Sequence, residues 1–199
     1  MMEDNCVRWE KEAAEAIERL CRKEMNKILV IAIDGKSGSG KTTLAGKLKE
    51  AFGGNLFHMD DFFLRPEQRT QSRLAEVGGN VDYERFAKVL EQIRRGEKVL
   101  YQAYDCKTQE LKPAVPMEPR RLNLVEGSYS MHPYFGDSYD LKITLDIDER
   151  EQKRRILCRN GAVMYKRFEN EWIPKENDYL EKYKIFQKSD LRLNCGRNA

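Results

Sequence analysis

The sequence of 199 residues contains no apolar run that approaches the roughly 18 residues of a membrane-spanning helix. Its charged start, MMEDNCVRWEKE, has no apolar core of the kind found in signal peptides. The five cysteines include no C-x-x-C pair, and only two histidines are present to complete a metal site of the zinc type. These absences predict a cytoplasmic protein with reduced thiols and no membrane partner.

A strong excess of charge is also missing, since 36 Lys and Arg residues are matched by 33 Asp and Glu residues. Short basic clusters occur at residues 94–95, 120–121 and 153–155, but each has acids nearby, so none forms the separate basic stripe typical of nucleic-acid binding. The length suits one well-buried core. We therefore expect a single domain over residues 1–199 that binds no nucleic acid, while the composition leaves a homo-oligomer open.

Apolar residues recur along the chain with two different periods. Helical spacing predicts helices over residues 6–24, 41–52 and 83–95. Short apolar runs predict strands at residues 28–33, 56–57, 122–125, 141–147 and 191–193, with a hairpin within residues 98–112. The first run is apolar throughout, as expected of a strand covered on both faces. The alternation predicts a doubly wound α/β fold, with a mainly parallel sheet and helices on both faces.

A glycine-rich stretch, DGKSGSGKTT, follows the first predicted strand and opens the second predicted helix. Its spacing matches the phosphate-binding pattern G-x-x-x-x-G-K-[ST], in which backbone N–H groups and a helix N-terminus surround phosphate oxygens. The residues expected to bind a nucleoside triphosphate are Gly35, Ser37, Gly38, Ser39, Gly40, Lys41, Thr42 and Thr43. Lys41 is expected to reach the β and γ phosphates, and the Thr42 hydroxyl to bind Mg²⁺.

Acidic residues end two further predicted strands. Asp60 and Asp61 follow the strand at residues 56–57, where a carboxylate can orient an acceptor hydroxyl and take its proton, although aspartate also caps turns and helices. Glu126 ends the strand in LNLVEG and is a candidate ligand of Mg²⁺ or of its water shell, the alternative being a salt-bridged strand end. Carboxyl ends of parallel strands border one crevice, so these acids are expected to lie near the glycine-rich loop.

Two motifs of other nucleotide-binding classes are missing from the sequence. No N-K-x-D guanine-binding motif follows a late strand, which argues against a GTPase switch. No L-S-G-G-Q stretch occurs either, which argues against a transporter ATPase. A small-molecule kinase is therefore the leading functional class.

An ordered set of motifs resembles the uridine kinase family, which belongs to the P-loop kinases together with phosphoribulokinase and bacterial pantothenate kinase. The motifs are DGKSGSGKTT, HMDDFF, NVDYERF, YDCKT, VEGSYSMHP, YDLKITLDI and RRILCRNG, in this order over residues 27–194. The resemblance implies that Asp60 is the catalytic aspartate, that Asp82 contacts a ribose, and that Tyr104 lies at the acceptor beside Asp105. A helix N-cap is the alternative for Asp82, and a half-buried strand aromatic is the alternative for Tyr104.

The resemblance also implies a reaction, in which ATP with Mg²⁺ donates its γ-phosphoryl group to a hydroxyl of a small molecule, most simply uridine or cytidine. A non-nucleoside alcohol is the alternative acceptor, and a regulatory protein that hydrolyses ATP slowly is the alternative outside the kinases. The family has a histidine and an arginine after its Y-D-F motif that help to bind the base, whereas Cys106 and its neighbours supply neither here. Weak discrimination between bases is therefore expected.

A basic segment follows the predicted strand at residues 141–147. Arg150, Arg154, Arg155 and Arg159 lie on one predicted helix, whose end is expected at Asn160 and Gly161. The resemblance implies a lid, here over about residues 159–178, with an arginine that touches the transferred phosphoryl group. Arg159 is the preferred candidate because it directly precedes the predicted hinge, and a solvated basic helix face is the alternative.

Overall fold

The computed structural model of the protein describes residues 2–196. Its helices are α1 (Met2–Lys23), α2 (Lys41–Phe52), α3 (Gln71–Ala75), α4 (Tyr83–Arg94), α5 (Glu149–Arg167), α6 (Ile173–Lys182) and α7 (Ile185–Lys188). Its strands are β1 (Leu29–Gly35), β2 (Asn55–His58), β3 (Val99–Tyr101), β4 (Tyr104–Asp105), β5 (Glu110–Leu111), β6 (Val115–Met117), β7 (Leu122–Glu126), β8 (Leu141–Asp146) and β9 (Leu191–Asn194). Within this part of the chain, no helix has the length and apolar character needed to cross a bilayer.

Five strands form one parallel sheet in the order β2-β7-β1-β8-β9. These are the five strands predicted from the apolar runs, so the predicted α/β fold with a parallel sheet is confirmed. The central strand β1 is buried along its whole length, which explains its unbroken apolar run. Because the strands are parallel, the carboxyl ends of β1, β2 and β7 lie at the same edge of the sheet.

Alternate residues of β1 point to opposite faces of the sheet, and each face is covered by helices. Val30 and Ala32 join a core cluster with Phe86 of α4 and Tyr179 of α6. The odd-numbered apolar residues of β1 join a second cluster with Ala13 and Ile17 of α1 and Leu44 of α2; they are Leu29, Ile31 and Ile33. Helices therefore cover both faces, as the sequence predicts. The sequence placed the first helix at residues 6–24, and the structure has α1 over Met2–Lys23.

The predicted hairpin is longer than residues 98–112. Two antiparallel pairs follow each other, β3 with β6 and β4 with β5. The tight turn at the tip is held by Asp105, whose carboxylate accepts a hydrogen bond of 2.8 Å from the Lys107 N–H. Among the described residues the hairpin pairs with no strand of the five-stranded sheet. It therefore projects from the sheet as a separate element.

Helix α5 bends at Gly161, whose φ of 76° and ψ of 169° are not helical. This bend lies where the sequence predicts a helix stop and hinge. The chain then continues through the π-helical turn Phe168–Trp172 into α6. Residues 158–164 are exposed, whereas Tyr179 of α6 is fully buried. The segment proposed as a lid thus joins an exposed bend to a helix that is fixed in the core.

Candidate active site

The glycine-rich loop connects β1 to α2 at the carboxyl edge of the sheet. Gly35 has a φ of 133°, and a Cβ atom there would lie 2.0 Å from the carbonyl oxygen of Leu145 in β8, so no other residue fits. Lys41 begins α2 and folds back over the loop, where its Nζ donates hydrogen bonds to the Gly35 and Lys36 carbonyl oxygens at 2.8 and 3.0 Å. The Lys41 side chain is only 8% exposed. The loop is thus held in shape by its own lysine.

Glu126, at the end of β7, lies beside the start of α2. Its Oε2 accepts a hydrogen bond of 3.3 Å from the Thr42 hydroxyl, and its Oε1 lies 2.5 Å from Nδ1 of His58 at the end of β2. The hydrogen bond to Glu126 is the main reason why the pKa of His58 is raised above its usual value, and burial opposes that shift. The sequence allowed two roles for Glu126, a salt bridge at the strand end and a place beside Mg²⁺. The structure pairs Glu126 with His58 and also places it in contact with Thr42.

Hydroxyl and carboxylate oxygens are suitable ligands for Mg²⁺, and Thr42 and Glu126 bring one of each kind to the same place. No group of three or more His, Cys, Asp and Glu side chains in the described part of the chain could hold a metal ion. Two protein ligands suit a Mg²⁺ ion that is bound mainly by nucleotide phosphates and water, which is its usual mode in kinases. The residues present fit such an ion.

Asp60 and Asp61 form a 3₁₀ turn after β2, and their side chains have different surroundings. Asp61 accepts a hydrogen bond from the Tyr101 hydroxyl, which belongs to the hairpin. Asp60 is exposed, and it faces the neighbouring cavity, whose walls limit its contact with bulk water. This desolvation raises the pKa of Asp60, Lys41 opposes the shift, and Glu126, Glu176 and Asp61 add to it. Of the two aspartates, Asp60 is the one that lines the cavity.

A cavity of about 1520 Å³ opens beside the glycine-rich loop. Its walls include residues from four sequence-predicted positions, namely the loop with Lys41 and Thr42, Asp60, Glu126 and Arg159. This volume is enough for a nucleotide and a small second molecule. The structure therefore brings Asp60, Glu126 and six of the eight predicted phosphate-binding residues to one cavity, while Gly35 and Ser39 lie behind its wall.

Three predicted acceptor residues do not form the surface of this cavity. Asp82 is buried, caps α4 by accepting a hydrogen bond of 3.0 Å from the Arg85 N–H, and accepts another of 3.0 Å from Gln68. The Tyr104 hydroxyl accepts a hydrogen bond of 2.8 Å from Arg69, and Asp105 holds the hairpin turn. Arg69, which contacts Tyr104, and Lys107, which contacts Asp105, do line the cavity.

The model of the Phosphoribulokinase / Uridine kinase family matches residues 30–161, which is more than half of the chain. The chain belongs to this family. Two named relatives that it resembles are distant from it in sequence. One is a uridine kinase of Macrococcus caseolyticus, 26% identical over 133 residues that are 62% of this chain and 65% of that protein. Another is a phosphoribulokinase of Synechocystis, 24% identical over 137 residues that are 63% of this chain and 40% of that protein.

The chain thus spans less than two thirds of the length of these curated relatives. Among solved structures, it resembles a protein described as a possible uridine kinase from Bacillus stearothermophilus, with a TM-score of 0.65 and 21% identity. That likeness covers 92% of this chain and 99% of the other. At such identity it establishes the fold that this chain shares with the family.

The arginines of α5 differ in what they contact. Arg155 donates to the Gly38 and Ser39 carbonyl oxygens at 3.3 Å and to the Cys195 carbonyl oxygen at 2.7 Å, so it braces the outside of the phosphate loop. Arg154 pairs with Glu151. Arg159 is exposed, lines the cavity, and donates from Nε to the neighbouring Asn160 side chain at 2.7 Å. Among these three, Arg159 has the guanidinium least committed to other groups.

We expect Arg159→Lys to lower kcat more than it raises the KM for ATP, because a lysine cannot reproduce the planar fork that binds phosphoryl oxygens in pairs. Steady-state kinetics with varied ATP measures both constants. Arg150→Lys, on the same helix but outside the cavity wall, is the matched control and should leave them unchanged. A change confined to KM would make Arg159 a ground-state nucleotide contact instead.

Sequence reasoning missed two residues at this site. His58 lies within HMDDFF, so its pairing with Glu126 could have been suspected from the adjacent strand ends. The role of Glu176 in α6 could not have been suspected from the sequence. Its carboxylate accepts hydrogen bonds from the Ser37 N–H at 2.9 Å, from the Ser37 hydroxyl, and from the Ser128 hydroxyl at 2.8 Å. The segment containing Glu176 carries no motif that marks it as part of a phosphate site.

Proposed function

We propose that the protein is an ATP-dependent kinase that transfers the γ-phosphoryl group to a hydroxyl of a small molecule, with a nucleoside such as uridine or cytidine as the first candidate. The observation that carries this proposal is the meeting of the phosphate loop, Asp60 and Glu126 at one cavity. Phosphoryl transfer requires these parts, namely a phosphate-binding loop, acids near the metal, and a group that orients the acceptor hydroxyl. Membership of the family supports the kinase class.

Each residue has a distinct part in the proposed reaction. The loop N–H groups and Lys41 hold the β and γ phosphates, and Thr42 with Glu126 would hold Mg²⁺, which when bound offsets phosphate charge. Asp60 orients the acceptor hydroxyl and accepts its proton as the oxygen attacks the γ phosphorus and the bond to the departing ADP breaks. Arg159 contacts the transferred group. Tyr104 and Asp105 act on the acceptor through Arg69 and Lys107, the wall residues that they hold. Asp82 caps α4 and, among the described residues, forms no hydrogen bond with the cavity wall.

A second candidate acceptor is a non-nucleoside alcohol that carries a carboxylate or phosphate. Arg69 and Lys107 line the cavity, and β4, which precedes Lys107, contacts the turn that bears Asp60. In the described part of the chain, neither cation has a carboxylate within ion-pair distance. Arg69 donates hydrogen bonds to the Leu64 carbonyl oxygen and to the Tyr104 hydroxyl, which are both uncharged. A guanidinium and an ammonium group that remain available suit an anionic substituent.

A panel of acceptors tests the proposed function, with ADP release measured in the presence of Mg-ATP. The panel contains uridine, cytidine, pantothenate, ribulose 5-phosphate and simple sugars, together with a sample that has no acceptor. We expect uridine to be phosphorylated and cytidine to compete within about a hundredfold in kcat/KM, because larger discrimination needs a dedicated buried polar partner that the YDCKT segment does not supply.

Other outcomes of the panel have distinct meanings. Turnover of an anionic alcohol without turnover of any nucleoside would reject the nucleoside and favour the second candidate. In that case Arg69→Gln should raise the KM for the anionic acceptor, while Arg65→Gln, outside the cavity wall, should not. Equal ADP release with and without every acceptor would indicate a regulatory ATPase.

We also propose a cytoplasmic location for the protein. Cys21, Cys106 and Cys158 are free thiols, as expected of a protein in a reducing compartment.

A further inference from the structure

Glu176 is a buried carboxylate that contacts the phosphate loop. It is 6% exposed, and in the described part of the chain no basic side chain lies within ion-pair distance of it. Removing a carboxylate from water is unfavourable unless hydrogen-bond donors replace the water. Here the donors are the Ser37 N–H and the hydroxyls of Ser37 and Ser128. The Glu176 carboxylate thus accepts hydrogen bonds from the loop that is expected to donate hydrogen bonds to phosphate.

These donors are connected to the lysine of the loop. The Ser128 hydroxyl that donates to Glu176 also lies 3.4 Å from Lys41 Nζ. The same Nζ donates to the carbonyl oxygens of Gly35 and Lys36, so one network extends from Lys41 through Ser128 to Glu176 and Ser37. A negative charge at Glu176 therefore lies within the group of donors and cations that would attract the nucleotide phosphates.

The backbone that carries Glu176 is held firmly. Three residues further along α6, Tyr179 is fully buried and donates a hydrogen bond of 2.7 Å to Asp34 at the end of β1. Asp34 also accepts hydrogen bonds from the Gly35 N–H at 2.7 Å and the Met131 N–H at 2.8 Å. Helix α6 is thus anchored at the base of the phosphate loop, and relief of the Glu176 contact requires rotation of its side chain.

We infer that Glu176 is an internal competitor of the nucleotide, whose carboxylate binds the phosphate-loop donors that a nucleotide phosphate would bind. This inference depends on the proposed use of the loop for nucleotide phosphates. A carboxylate and a phosphate cannot both accept from the Ser37 N–H, and two negative charges held that close together repel each other. Nucleotide binding must therefore displace the carboxylate from the Ser37 donors, and this also breaks its contact with Ser128, which lies outside the loop. The contact lowers affinity for nucleotides in proportion to the phosphate charge that reaches the loop.

Isothermal titration of the full chain with Mg-ATP, Mg-ADP and adenosine tests the inference. Glu176→Gln keeps the size of the side chain but removes its charge, and should tighten Mg-ATP binding about tenfold, Mg-ADP less, and adenosine not at all. Glu181→Gln is the matched control, because it removes the same charge from an exposed position of the same helix. Ser128→Ala deletes one donor to Glu176 without touching the anchor at Tyr179, and should tighten Mg-ATP binding by a smaller factor.

The possible results separate this inference from the proposed function. If the wild type binds Mg-ATP and Glu176→Gln binds it equally or more weakly, Glu176 is a structural clamp and the inference is wrong while the kinase proposal stands. If Glu176→Gln does not fold, Ser128→Ala decides, and unchanged or weaker binding in that variant rejects the inference. If the wild type and all variants fail to bind Mg-ATP, the phosphate loop does not bind nucleotide and both proposals fall.

Discussion

Lys41→Ala is expected to lower kcat by about a thousandfold, the upper end of the loss caused by removing one preorganised group that stabilises transition-state charge. The Lys41 ammonium group sits over the loop, 2.8 Å from the Gly35 carbonyl oxygen, where β and γ phosphates would approach. ADP release in the presence of the best acceptor measures the effect. Lys49→Ala, at an exposed position of the same helix, should leave the rate unchanged.

The same substitution also tests how far Lys41 supports the fold. Because the buried ammonium group donates to two loop carbonyl oxygens, its loss should destabilise the protein by about 2 kcal/mol, the usual value for a charged hydrogen bond. Thermal denaturation measures this loss. The variant should remain folded at assay temperature. A folded variant with near-normal turnover would show that the loop is not a working phosphate site.

Asp60→Asn is expected to lower kcat by about 10² to 10⁴, the range typical of a lost general base. Affinity for Mg-ATP should change little, because the proposed partner of Asp60 is the acceptor hydroxyl. Asp61→Asn is the matched control and should have a smaller effect, since Asp61 already accepts a hydrogen bond from Tyr101. A larger loss at Asp61 would show that the base has been assigned to the wrong aspartate.

The pH dependence of kcat/KM gives a second measurement of the same residue. Asp60 can accept a proton only when it is deprotonated, so activity is present above its pKa and falls as the pH decreases through that value. Because enclosure by the cavity wall raises this pKa, the fall should begin at a higher pH than for an ordinary aspartate, whose pKa is about 4. In Asp60→Asn this acid limb should disappear from the residual activity.

The parts of the site that the sequence predicts are those encoded in short segments. The glycine-rich loop is a contiguous motif with its strand and helix on either side, so its local geometry follows from sequence. Asp60 and Glu126 end apolar runs, and the parallel order of the strands brings such ends together. For these residues, knowledge of the fold class was enough to place them at one cavity.

The parts that the sequence could not predict depend on contacts between distant segments. Ser37 and Glu176 are 139 positions apart, and tertiary packing, including the contact of Tyr179 with Asp34, determines which side of α6 meets the loop. Asp82 shows a different difficulty, because one carboxylate can cap a helix or bind a ligand. In this structure it caps α4, and Arg69 rather than Asp82 lines the cavity. Local pattern does not decide between two uses of the same polar group.

In the proposed kinase, the hairpin separates the choice of acceptor from the phosphoryl donor site. Its tip supplies Cys106, Lys107 and Gln109 to the cavity wall, yet in the described structure its strands pair with each other and not with the parallel sheet. Changes in the sequence or length of this tip therefore leave strand register and the phosphate loop intact. If the proposed function holds, exchange of the tip between relatives is a route to new acceptors, in evolution or by design, that leaves the phosphoryl donor site unchanged.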